Sequence, residues 1–361
     1  MASSKIPPWL RPARPGPDWH AYELELLPGL EPTAADELRE RFNGAVRVGR
    51  SARPGRLPVL LRGDRAPLFE LRSAVAVHAV ERFDVGSPAG LLAAANFARL
   101  LAAVRAVIDR RPDAFGTLRL SAAGADSLAF TRLVDQLLEA TSLGRVRAGG
   151  DLLLAVRRGE GGGWEALVRL TARPLSARAW RVCNLPGALD ATAAHAIVRL
   201  AAPAAGPERF LNLAAGSATL LVERLALGPA ARAIGVERDQ AALACARANL
   251  DAAGASAALV QADLAALPFP DRSFDRAVAD LPYGMLMGSP EANRALYART
   301  LAEAARVVAP GGAFVVVTAS WRLLEALLGG QAAWGRERAI RVSIPFARGY
   351  LKPTIYLLRR R

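Results

Sequence analysis

The chain has 361 residues, 52% hydrophobic and 22% charged, with a formal net charge of +14. That length exceeds one comfortable core and predicts two domains, while the apolar content excludes a chain disordered by composition. No apolar run reaches the roughly 18 residues of a membrane span, and the opening MASSKIPPWLRPARPGPDW lacks a signal-peptide core, which predicts a soluble cytoplasmic protein. Two cysteines and three histidines stand too far apart for a zinc site, so no metal is expected, and Cys183 and Cys245 read as inert packing residues. His20, His78 and His195 read as solvated or helix-packed. Lys5 and Lys352 are the only lysines, so the basic excess is arginine, and it is spread over both halves rather than carried by a tail. A polyanionic partner accounts for that excess; an ordinary basic surface is the alternative.

In chain order, YELELL reads as a strand and AADELRERF as a helix. Thr33 and Asp36 stand at capping-box spacing, Ala34, Leu38 and Phe42 share one face, and Gly44 stops the helix. LPVLLRG is a second short strand. Residues 88–109 form a long helix with Phe97, Leu101, Val104 and Ile108 aligned. A strand TLRLSAA, a helix around LAFTRLVDQLLEA and two strands, DLLLAVRR and WEALVRLT, follow. The pattern then loosens over 173–185, a linker.

Beyond it, strands and helices alternate: RFLNLA, a helix from Ala218, ARAIGVE, the helix QAALACARANLDAA, AALVQAD, FDRAVADLP, a helix aligning Tyr297, Leu301, Ala304 and Val308, then AFVVVTA. Continuous apolar strands separated by helices imply a parallel sheet covered on both faces. RAIRVSIP and TIYLLRR, with no helix between them, imply an antiparallel hairpin at one edge.

Ligands of such a sheet sit beyond the carboxyl ends of its strands. There the chain places a small-residue turn, NLAAGSAT, and three acids, Glu237, Asp263 and Asp280, at the next strand ends. Glu237 lies about 20 residues beyond Gly216, the offset at which an acid grips a ribose. The turn has one glycine where a dinucleotide site needs three, so a pyrophosphate fits poorly. A cationic sulfonium suits a ring of acids, which favours S-adenosylmethionine.

The motif DLPYG, with PGALDATAAHAIVRLA ahead of the first strand and AGSATLLVE after it, resembles the THUMP-domain tRNA guanine-N2 methyltransferases. The N-terminal segments resemble that family's ferredoxin-like and THUMP parts. The resemblance implies an α/β fold with a class I methyltransferase, Rossmann-like, seven-stranded sheet. The implied division is a ferredoxin-like unit at 1–64, an RNA-binding THUMP-like unit at 65–172 and the methyltransferase domain at 186–361. It further implies that Asn212, Ala214, Ala215 and Gly216 line the methionine end of S-adenosylmethionine. Glu237 and Arg238 would then meet the ribose region, and Asp263 with Leu264 the adenine. The family usually reads D-P-x-C-G-S-G-T where this chain has N-L-A-A-G-S-A-T, so Asn212 replaces an acid and Ala218 a glycine.

The motif's residue types follow from chemistry. An exocyclic purine amine is a poor nucleophile, so its NH₂ needs acceptors as nitrogen becomes tetrahedral; Asp280 supplies a carboxylate and Leu281 a carbonyl. Pro282 fixes the turn, Tyr283 offers a stacking face for a flipped base, and Gly284 leaves room for the purine. The expected enzyme is a monomeric tRNA methyltransferase forming N2-methylguanosine in the acceptor stem, at the sixth nucleotide by resemblance. A non-catalytic RNA-binding protein with a decayed methyltransferase fold, or an rRNA or DNA amino-methyltransferase, are the alternatives.

Overall fold

The computed structural model describes residues 18–202, 206–282, 290–346 and 349–361. Contacts divide it into an N-terminal unit, residues up to 26 with 31–175, and a C-terminal unit, 27–30 with 176–361.

The N-terminal unit comprises β1 (Trp19–Glu25), α1 (Glu31–Phe42), β2 (Val46–Val48), β3 (Arg56–Arg62), β4 (Ala76–Phe83), α2 (Ala94–Ile108), β5 (Thr117–Ala122), α3 (Leu128–Thr141), β6 (Gly144–Arg145), β7 (Leu152–Arg158) and β8 (Trp164–Arg169). Period-two alternation makes β3 a half-buried strand: Leu57, Val59 and Leu61 turn inward and their neighbours outward. In α3 the buried residues are Phe130, Leu133, Val134 and Leu137, a helical stripe that seats it on the same core. All eight strands form one sheet, β2-β3-β1-β4-β8-β7-β5-β6. The sequence divides this region at residue 64, but β4, which the apolar pattern did not single out, pairs with β1 on one side and β8 on the other. The two N-terminal segments therefore share a sheet and a core.

Charged side chains cross that sheet. Glu23 and Glu165 are buried, and Arg157 donates to both, through Nη1 to Glu23 at 2.8 Å and through Nε to Glu165 at 3.1 Å. Arg82 adds a bond to Glu165 at 3.2 Å.

The C-terminal unit comprises α4 (Ala191–Ala201), β9 (Arg209–Leu213), α5 (Thr219–Leu225), β10 (Arg232–Glu237), α6 (Gln240–Ala252), β11 (Ala258–Gln261), β12 (Phe274–Asp280), α7 (Pro290–Val307), β13 (Val308–Thr318), α8 (Trp321–Gly329), β14 (Trp334–Arg341), β15 (Ile344–Phe346), β16 (Gly349–Leu351) and β17 (Thr354–Arg360). Asp190 caps α4 by accepting from the Thr192 and Ala193 amides. Seven strands form the sheet β11-β10-β9-β12-β13-β17-β14, the first five parallel and β17 antiparallel to both of its neighbours. β15 and β16 make a separate hairpin between β14 and β17.

Two expectations change here. From Ser176 the segment read as a linker belongs to the C-terminal unit: Trp180 is buried and the Arg178 Nε donates to Glu223 on α5 at 2.9 Å. Cys183 and Cys245, read as independent packing residues, are joined in a disulfide with Cα atoms 5.4 Å apart. Their sequence separation is 62, so no local spacing reveals the pair. Asn249, one turn beyond Cys245 on α6, holds the Cys183 backbone in place by donating to its carbonyl and accepting from its amide, both at 2.9 Å. Among the described residues no helix is long and apolar enough to cross a membrane, and no cluster of three metal-ligating side chains occurs.

Candidate functional site

The strand order places β11, β10, β9 and β12 side by side and parallel, so their carboxyl ends form four consecutive tips along one edge. The turn leaving β9 has an unusual backbone. Ala214, Gly216 and Ala218 all adopt positive φ, at 50°, 52° and 63°. Gly216 does so without penalty, and a Cβ there would meet nothing within 4 Å, leaving the backbone open to an approaching ligand. Ala218 keeps the left-handed conformation at the start of α5 although it carries a methyl group, a strain of about 1 kcal/mol. The alanine thus costs energy at a position where a glycine would not.

Gly235 lets this turn sit close to β10. A Cβ there would come within 2.6 Å of Leu221 on α5 and 3.1 Å of Ala215. Beyond it, Glu237 ends β10 and is clasped by backbone donors: Gly216 N at 3.0 Å on Oε2, and Arg238 N and Asp239 N at 2.9 and 3.1 Å on Oε1. The structure therefore brings Gly216 and Glu237 into direct contact. Arg238 is exposed.

Asn212, one residue before the end of β9, is completely buried. Its amide Nδ2 donates to the Leu213 carbonyl at 3.1 Å, while Oδ1 has no hydrogen-bond partner. A buried acceptor without a donor is uncommon in native proteins and suits a ligand that brings an ammonium group. Asp263 lies two residues past β11, exposed, with Oδ1 accepting from Ala265 N at 2.8 Å; Leu264 beside it packs on the C-terminal core.

On the fourth tip, Asp280 is the last residue of β12 and is half-buried. The Leu281 amide continues the ladder, donating to Val317 O at 3.1 Å. The Pro282 carbonyl accepts from the Tyr297 hydroxyl at 2.7 Å, and that hydroxyl lies 2.6 Å from Thr318 Oγ1. The carbonyl of Leu281 is thus framed by two fixed neighbours, the amide behind it and the carbonyl ahead. Burial pushes the Tyr297 phenol pKa up and the Asp280 charge adds to the rise, so the hydroxyl stays protonated. Tyr283 and Gly284 lie outside the described residues.

Sequence reasoning missed Tyr297 as a site residue. It entered only as one apolar position of a helical stripe, and nothing local links it to a carbonyl 15 residues earlier. It missed Asn249 as well, whose Nδ2 also donates to Ser217 O at 2.9 Å and so fastens the β9 turn to α6. Arg181 contributes a third anchor, donating to Thr219 Oγ1 at 3.1 Å.

Comparison with known proteins bears on this edge. Residues 178–348 match the family described as UPF0020, RMKL-like, methyltransferase domain. A tRNA (guanine(6)-N2)-methyltransferase of Thermus thermophilus is 34% identical over 165 residues, 45% of this chain and 48% of that protein. A demethylmenaquinone methyltransferase of the same organism is 36% identical over 111 residues, 31% of this chain and 47% of that protein. The chain thus spans about half the length of the curated relatives it matches. The crystal structure of TrmN from Thermus thermophilus superposes with a TM-score of 0.75 at 26% identity, covering 94% of this chain and 99% of TrmN. The C-terminal unit has the class I methyltransferase, Rossmann-like fold, with the seven strands expected.

Proposed function

We propose, from the premise that residues 178–348 form a methyltransferase domain of the UPF0020 type, that this chain is an S-adenosylmethionine-dependent tRNA methyltransferase forming N2-methylguanosine. The target is a guanine of the acceptor stem, nucleotide 6, the position named for the Thermus relative. The observation that carries the reading is the Asp280–Leu281–Pro282 turn on β12, one strand away from the ligand-open turn of β9.

When bound, S-adenosylmethionine supplies an electrophilic methyl group on a sulfonium sulfur. Asn212 Oδ1 is the acceptor for the amino group of its methionine end, and the Ala214–Gly216 backbone lines that end. Glu237, already oriented by three amides, has lone pairs left for the ribose hydroxyls. Asp263 and Leu264 supply a polar and an apolar contact for adenine.

Asp280 and the Leu281 carbonyl accept the two N–H bonds of the guanine amine. Held this way, the amine would be oriented for methylation, and the gain would be one of proximity and orientation. Asp280 then takes or relays the proton released as the amine is alkylated. Tyr283 is the stacking face for the everted base. We further propose that the N-terminal unit contains the ferredoxin-like and THUMP-like segments and holds folded tRNA, that the protein acts as a cytoplasmic monomer, and that no metal takes part.

Incubation with unmodified tRNA, rRNA and duplex DNA under labelled S-adenosylmethionine, followed by digestion to nucleosides, tests this reading. Label in N2-methylguanosine from tRNA alone is the expected result. Label recovered from rRNA or DNA supports the second amino-methyltransferase reading. No heat and no thermal shift with millimolar S-adenosylmethionine supports a non-catalytic RNA-binding protein.

A further inference from the structure

Among the described residues four large hydrophobic side chains are exposed, and the two aromatic ones, Phe346 and Tyr350, both sit on the β15–β16 hairpin at 43% and 65% exposure. The sheet register fixes where this hairpin emerges. Asp280 pairs with Val317, Val317 with Ile355 and Ile355 with Ile340. β17 begins at Thr354 and β14 ends at Arg341, so the hairpin leaves the sheet at the edge that carries Asp280. Two to three strand spacings, about 10–15 Å, separate its base from the Asp280 tip.

Within the hairpin Tyr350 faces Pro345 across the ladder and Phe346 faces Gly349, which puts the two rings on opposite faces. At Gly349 a Cβ would meet nothing within 4 Å, so the space beside Phe346 is open. The surroundings are cationic. Arg341 and Lys352 flank the hairpin and are exposed, and Arg341 and Arg322 set their guanidinium carbons 5.3 and 4.8 Å from the Trp321 ring centroid. Exposed rings among exposed cations suit unpaired bases of a polyanion, which stack on aromatic faces while phosphates meet the charges.

We propose that the β15–β16 hairpin is a stacking platform for unpaired RNA bases next to the methylated nucleotide, with Phe346 and Tyr350 as the stacking faces and Arg341 and Lys352 as phosphate contacts. This rests on the RNA-methyltransferase reading above and adds the surface that positions the substrate beyond the reacting base.

The test measures anisotropy of a labelled, unmodified tRNA transcript at several salt concentrations with the full chain, alongside methyl transfer. Replacing both rings (Phe346→Ala with Tyr350→Ala) should weaken binding about 10- to 100-fold, with the slope of affinity against salt unchanged because stacking releases no counterions. Phe346→Tyr should bind like the parent chain, and Lys352→Ala should lower the salt slope by about one. Parent-like binding by the double variant overturns the proposal, as does a parent chain that binds no RNA. So does a parent chain that self-associates in sedimentation while the double variant does not, since the hairpin's occupant is then a second copy. Should the double variant lose binding while the parent chain transfers no methyl to RNA, the platform stands and the methyltransferase reading falls. A parent chain that methylates tRNA with an unchanged KM in the double variant gives the reverse.

Discussion

Both units hold carboxylates fixed by hydrogen-bond donors, but the donors differ in kind. In the N-terminal unit Glu23 and Glu165 are matched by arginine side chains from other strands of the sheet, Arg157 and Arg82. Each negative charge there is cancelled across the sheet. In the C-terminal unit Glu237 is held by backbone amides of its own loop and of the β9 turn, and Asp263 by the Ala265 amide. Amides orient a carboxylate without cancelling its charge, so the group stays available to a cation or a hydroxyl. Carboxylates thus serve cohesion in the N-terminal unit, while those of the C-terminal unit are the ones to which the proposed function assigns recognition.

The largest effect should come from the recognition side. Asp280→Ala should lower methyl transfer to tRNA about 10³-fold or more, while calorimetry finds S-adenosylmethionine affinity close to the parent value. Equal turnover in that variant would falsify the role given to Asp280. On the cohesion side Glu165→Ala leaves Arg82 without this partner and Arg157 with Glu23 alone, and should cost about 1–3 kcal/mol in urea unfolding. A loss under about 1 kcal/mol would mean the cross-sheet charges are screened like surface pairs.

His78, buried on β4, sharpens the contrast through pH. Burial pushes its pKa from 6.5 down to about 4. The unfolded chain therefore binds the proton first, so stability rises with pH across this window and is lost as pH falls from about 6.5 toward 4, by roughly 2–3 kcal/mol. Urea midpoints at both ends of the window should differ in the parent chain and converge in His78→Phe.

Smaller effects are expected at the two supports of the site. Tyr297→Phe removes the donor to the Pro282 carbonyl and should lower kcat about three- to tenfold with cofactor affinity unchanged. An unaltered kcat would show that the turn holds its shape alone. Ala218→Gly relieves the left-handed alanine but loosens the unfolded chain, so the net gain should stay under about 1 kcal/mol. A clear loss in the urea midpoint would mean the alanine methyl packs more favourably than the backbone strain costs.

Much of the C-terminal unit was legible because parallel strands buried on both faces write unbroken apolar runs, as in AFVVVTA, and because three of the runs, ARAIGVE, AALVQAD and FDRAVAD, end on an acid. The β9 turn and the acids at 237, 263 and 280 were found from those endings. The N-terminal sheet was harder. β4 reads AVHAVERF, with His78, Glu81 and Arg82 interrupting any clean alternation, yet it joins the two halves. Its polar residues make sense only against strands far away in sequence. The β15–β16 hairpin was hidden for the opposite reason: Pro345 and Gly349 look like chain breakers until the pairing is known. The capping-box spacing at Thr33 and Asp36 placed the start of α1 too late, since Glu31 already begins the helix and its carboxylate accepts from the Gly55 amide.

The Cys183–Cys245 bridge has a consequence that divides the molecule chemically. It closes a covalent ring of about 60 residues that contains α4, β9 and its turn, α5, β10 and the start of α6. Restricting the unfolded ensemble of a ring that size is worth about 4 kcal/mol in the chain-entropy view. All of that benefit falls on the C-terminal unit, so a thiol reductant in the buffer should weaken that unit and leave the N-terminal sheet as it was.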